Sequence, residues 1–164
     1  MKRKTAFLGV MTALALIFSY VESLIPVPIP VPGIKLGLAN LMVVLLLYLV
    51  NAREAILLNL IRVVLSGFLF GSLSSILYSL AGAVFSFLVM VFLKKTGLFS
   101  PVGVSIAGGT AHNLGQILVA ALILESADLF FYAPVLMITG EVTGFLIGIT
   151  AGEILKRLPK ERNE

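Results

Sequence analysis

The sequence predicts an all-α integral membrane protein with six transmembrane helices and both termini in the cytoplasm. Three observations predict it. Hydrophobic residues make up 59% of the 164-residue chain and charged residues 12%, with a mean hydropathy of +1.11. A water-soluble chain of this size exposes too much of itself to be so apolar, so lipid is its solvent. The apolar runs are continuous rather than alternating, which selects helices over the strands of a barrel. Ten of the twelve Lys and Arg residues fall where alternate spans would meet one side of a bilayer, and that side is the cytoplasmic one.

The elements follow in order. Met1-Lys2-Arg3-Lys4 precedes a first span over residues 5–25. Its basic start resembles a secretory leader, but the apolar run continues to Ile25, so it is read as a retained span. The second span covers 36–50, and Asn51-Ala52-Arg53-Glu54 joins it to a third at 55–73. The fourth covers 75–93 and is followed by Lys94-Lys95. The fifth covers 102–124 and the sixth 129–155, after which come Lys156, Arg157, Lys160 and Arg162. The opposite ends carry Lys35, Glu125 and Asp128. The net charge of +4 is therefore a topology signal rather than a nucleic-acid footprint. The whole chain reads as one six-helix domain in the plasma membrane. Without a clear repeat between its halves, it offers no inverted-repeat transporter pattern.

The connection Ile25-Pro26-Val27-Pro28-Ile29-Pro30-Val31-Pro32-Gly33 must be stiff and extended, because each Pro fixes its own φ and restricts its predecessor. It reads either as a lid over an outer pocket or as a spacer on the headgroups. Lys35, at the start of the second span, reads as an anion site at a helix N-terminus or as a snorkelling interfacial Lys. Small residues recur every four positions at Thr5, Gly9 and Ala13, and at Gly140, Gly144, Gly148 and Gly152. Such seams allow helices to approach closely. The first suits docking of another membrane subunit, the second internal packing.

Polar side chains at membrane depth are candidates for function because they are costly there. Asn59 and Arg62 share a face of the third span, His112, Asn113 and Gln116 form a stripe on the fifth, and Glu141 lies in the sixth. Glu22 and Asn40 lie nearer the outer face. Arg62 and Glu141, at similar depth, are the expected ion pair, either bracing the bundle or belonging to the site. His112 is the only histidine and no cysteine is present, which leaves no ligand set for a metal. Ala107-Gly108-Gly109-Thr110 is expected to weaken the fifth helix just before the polar stripe. No Walker-type loop is present, and Asp128, the only Asp, cannot supply the carboxylate cluster that holds Mg²⁺ on a diphosphate. No catalytic residue and no cofactor is expected.

Gly33-Ile34-Lys35-Leu36-Gly37-Leu38-Ala39-Asn40 after the Pro-rich connection, Arg62-Val63-Val64-Leu65-Ser66-Gly67, and Gly109-Thr110-Ala111-His112-Asn113-Leu114-Gly115-Gln116 together resemble the family called heptaprenyl diphosphate synthase component I, or the Gx transporter family. The resemblance runs over nearly the whole chain. The name implies an accessory subunit of a polyprenyl diphosphate synthase. The architecture resembles instead the substrate-binding S component of energy-coupling-factor (ECF) importers. That likeness implies a binding site near the outer face beneath a loop between the first two helices. It also implies small residues on helix one that contact a transmembrane coupling protein, with separate ATPases as further partners. Thr5, Gly9 and Ala13 match the docking seam, with Gly rather than Ala at one position. Arg62, His112, Asn113, Gln116 and Glu141 would then line or brace the cavity, with Lys35 and Asn40 near its entrance. The expected cargo is a vitamin-like or isoprenoid-related small organic molecule. The competing expectations are the synthase subunit and a proton-coupled carrier using His112 and Glu141.

Overall fold

A computed structural model of the protein describes residues 2–25 and 37–158, the side chains of residues 2 and 3 excepted. These residues form six helices and no strand: α1 (Lys2–Ser23), α2 (Asn40–Leu49), α3 (Ala52–Phe70), α4 (Leu73–Thr96), α5 (Pro101–Ile123) and α6 (Ala133–Arg157). Most of the Pro-rich connection, Lys35, Lys160 and Arg162 lie outside the described residues.

Local chemistry sets the helix ends. The Asn51 side chain accepts a hydrogen bond from the Glu54 N–H at 2.9 Å, so α3 starts three residues before the expected span. Ser72 caps α4 by accepting from the Ser75 N–H, and Ser100 caps α5 by accepting from Gly103, with Pro101 opening that helix. Gly97, at φ +70°, ends α4 in the left-handed conformation that glycine adopts without steric cost. The sixth apolar run is not one helix. A 3-10 segment at Ala127–Tyr132 precedes α6, and the break falls just before Pro134, which favours a helix's first turn.

Four segments are long and apolar enough to cross a bilayer: Lys4–Ser23, Leu73–Thr96, Pro101–Ile123 and Ala127–Arg157. The expectation of six equal spans is corrected for the other two helices. α2 has only ten residues, about 15 Å of helix against a hydrocarbon core of about 30 Å. Nine of the ten are buried, so α2 is a central element wrapped by the others. α3 carries Arg53, Glu54 and Arg62, which lowers its apolar character. Outward-facing Leu88, Phe92, Val142 and Leu146 are among many exposed large hydrophobic side chains. Such a surface suits lipid rather than water, and the protein is a multi-pass membrane protein.

The bundle has a closed apolar end. Leu41 to Leu47 of α2 pack there with Met11, Ala15, Leu58, Met90, Val104, Ile147 and Ala151. Lys4 and Lys94 lie at this end: Lys4 pairs with Glu54 at 2.9 Å, and the Lys94 ammonium donates to the Leu47 carbonyl while lying 4.9 Å from the centre of the Tyr48 ring. Lys94 thereby answers an end-of-helix carbonyl of α2 that has no partner within its own helix.

α5 and α6 cross backbone to backbone. A Cβ on Gly109 would lie 2.3 Å from the Gly140 carbonyl oxygen, and one on Gly144 would lie 2.6 Å from that of Ser105. Gly148 meets Val102 in the same way, whereas Gly152 meets nothing within 4 Å. The α6 ridge thus serves internal packing over three of its four glycines. The expected weakening at Ala107–Thr110 does not occur: α5 runs unbroken, and Gly108 and Gly109 are points of close approach to Met90 and Gly140.

Candidate functional site

At the opposite end, where α1 finishes and α2 begins, the interior is polar. Glu22, in the last turn of α1, is 2% exposed. Its carboxylate accepts hydrogen bonds from the N–H groups of Gly37 and Leu38, which lead into α2. Gly37 has φ +91°, a conformation reserved in practice for glycine, and its Cα faces the Asn40 amide and the edge of the His112 ring. His112 in turn lies against Gly82 of α4, where a Cβ would come 3.0 Å from Nδ1 and 2.8 Å from Cγ of Gln116. Glu22, Asn40, His112 and Gln116 are therefore joined through two glycines that leave the necessary room.

Arg62 reaches this group from α3. It is 2% exposed, donates from NH2 to the Asn59 Oδ1 at 2.7 Å and from NH1 to the Ser19 hydroxyl at 3.4 Å, and sits in the electrostatic field of Glu22. The expected pairing of Arg62 with Glu141 is corrected. Glu141 is exposed on α6 and forms no hydrogen bond or ion pair among the described residues. The reason is topological: α3 packs beside α1, α2 and α4, whereas α6 packs beside α5 and α2. His112 is buried between Gly37 and Gly82, whereas Glu141 is exposed on α6.

Asn113 turns away from the cluster. Its Nδ2 donates to the Leu136 carbonyl at 2.6 Å and to the Thr139 hydroxyl at 3.4 Å, tying α5 to α6. Lys35 lies outside the described residues. Thr5, Gly9 and Ala13 all lie on the exposed side of α1, and a Cβ on Gly9 would meet nothing within 4 Å.

One feature of the interior did not enter the sequence reading. Ser75, Ser79 and Ser86 of α4 are buried, and with Gly82 they fall at spacings of four, three and four. That spacing marks one helix face, and Gly82 fixes it as the face turned to α5. Ser19 is a second unforeseen member, fully buried beside Arg62.

The chemical character of the group lies in what is unmatched. Both polar atoms of the fully buried Gln116 amide lack hydrogen-bond partners among the described residues, as do Oδ1 of Asn40, Nδ2 of Asn59 and the hydroxyls of Ser75, Ser79 and Ser86. Buried polar groups are ordinarily paired, so this concentration leaves donors and acceptors able to take up water or a ligand. An adjoining enclosed cavity, lined by Asn40, Ser105, Thr143 and the glycines of α5 and α6, has room for about one water molecule. Among the described residues no three His, Asp or Glu side chains converge as metal ligands would.

No curated protein sequence and no solved structure matches the chain. The sequence model for heptaprenyl diphosphate synthase component I matches residues 11–154, and the chain belongs to that family.

Proposed function

We propose that the chain is the substrate-binding component of an ECF-type importer, a single six-helix domain of the plasma membrane with both termini in the cytoplasm. The observation that carries this reading is the group of buried, unmatched amide and hydroxyl side chains on the facing sides of α4 and α5, Gln116, Ser79 and Ser86 among them, in an otherwise apolar bundle. A purely bracing network satisfies its own members, whereas a binding surface holds donors and acceptors in reserve. Asn40, His112 and Gln116 would contact the cargo, Arg62 would hold the floor of the site through Glu22, and Asn113 would brace α5. The exposed Thr5, Gly9 and Ala13 face of α1 would receive the transmembrane coupling protein, because a helix without bulky side chains admits another closely.

Affinity purification of the full chain from its native membranes tests the reading. A membrane coupling protein with two ATPases should be recovered with it. Gly9→Leu should lose that module while keeping its small-molecule ligand. Normal recovery of the module by Gly9→Leu would place docking on another face.

A second reading is favoured by the family's description: an accessory, non-catalytic subunit of a polyprenyl diphosphate synthase. It predicts that a soluble prenyl synthase co-purifies and depends on this chain for product. Equal product formation by that synthase alone would remove it.

A further inference from the structure

We propose, resting on the capture reading above, that the cargo meets this interior with an uncharged edge bearing a hydrogen-bond donor beside an acceptor, read by Gln116, and not with a phosphate or diphosphate. Gln116 is fully buried, and its Oε1 and Nε2 are both without partners among the described residues. A carboxamide presents a donor and an acceptor side by side in one plane, so it complements an amide, lactam or pyrimidine edge in a bidentate pair. Gly82 lets α4 lie directly against this side chain, since any side chain there would press on Gln116 Cγ. Ser79, one turn earlier on the same face of α4, adds a buried hydroxyl that is also unmatched.

The charge inventory points the same way. Among the described residues, Glu22 and Arg62 are the buried charged side chains, and they are opposite in sign. Glu22 accepts from the Gly37 and Leu38 N–H groups, and Arg62 donates through NH1 and NH2 to Ser19 and Asn59, its Nε alone being unmatched among the described residues. A diphosphate brings at least two negative charges and is held elsewhere by several cationic side chains or Mg²⁺. The described interior supplies no surplus of cations for it, and an unbalanced charge at this depth is strongly disfavoured.

The test uses the full chain purified from native membranes. Small molecules released on denaturation are identified by mass spectrometry, and thermal stability is measured with nicotinamide, uracil, isopentenyl diphosphate and inorganic diphosphate. The released compound should lack phosphorus and carry an amide-type edge. Folded Gln116→Leu should release at least tenfold less of it, and Ser79→Ala severalfold less, the latter carrying the test if the former does not fold. Nicotinamide or uracil should raise the melting temperature, and the two diphosphates should not. A phosphorylated compound, stabilisation by either diphosphate, or full retention of ligand by Gln116→Leu overturns the proposal while leaving capture standing. Release of nothing, together with no response to any probe, overturns both.

Discussion

Along α5, the face turned to α6 and the face turned to α4 are both cut back to small residues, yet they end in different chemistry. Toward α6, Gly109 meets Gly140 backbone to backbone, and the nearby Asn113 amide nitrogen donates to the Leu136 carbonyl. Toward α4, Gly115 and Gly82 also permit close approach, but Gln116, Ser79 and Ser86 bring polar atoms that find no partner. Close packing therefore does not distinguish the two faces; what differs is that the Asn113 nitrogen bonds across to α6, its Oδ1 remaining unmatched, whereas neither polar atom of Gln116 finds a partner among the described residues.

The largest expected effect tests the charges beneath the polar face. Arg62→Ala should destabilise the protein by about 3–5 kcal/mol, because it removes the buried positive charge that opposes Glu22 and the bonds to Asn59 and Ser19. Adding Glu22→Gln should recover much of that loss, measured by unfolding in mixed detergent. Recovery through Glu141→Gln instead would restore the pairing with α6 that the bundle does not contain. Next comes the α6 face. Gly109→Ala should cost about 3 kcal/mol, the upper end for overpacking, since the new methyl collides with backbone that cannot rotate aside. The α4 face should respond with the opposite sign. Gln116→Leu should leave stability unchanged or raise it by about 1 kcal/mol, because it removes unsatisfied groups, while ligand binding is lost. A large destabilisation there would make Gln116 a brace like Asn113. The smallest effect on stability belongs to Gly9→Leu, within about 0.5 kcal/mol, because that position faces open space. Its consequence should appear only in recovery of the coupling module.

Much of this was legible in the sequence. Helical periodicity revealed the α6 glycine ridge and the polar stripe of α5, and continuous apolar runs revealed six helices. The partner of Arg62 was not legible, because depth along a helix can be counted whereas the neighbour of each helix is decided by the whole bundle. Glu22 looked peripheral for the same reason: it sits at the end of α1, but α2 begins beside it. The buried α2 was hidden by an apolar run that suits a short central helix as well as a crossing one. The break before α6 had its signal in Pro134. The α4 serines had theirs in helical spacing, but a hydroxyl barely interrupts an apolar run. Ala107–Thr110 misled because glycine's poor helix propensity was weighed without the neighbour that compensates for it.

The short α2 has a consequence for passage across the membrane. Its far end is pinned by Lys94, and its length covers about half the hydrocarbon thickness. The half of the bundle that α2 occupies is filled by its own aliphatic side chains and those of its neighbours. Under the capture reading proposed above, a cargo held beside Asn40 would still have this packed half ahead of it.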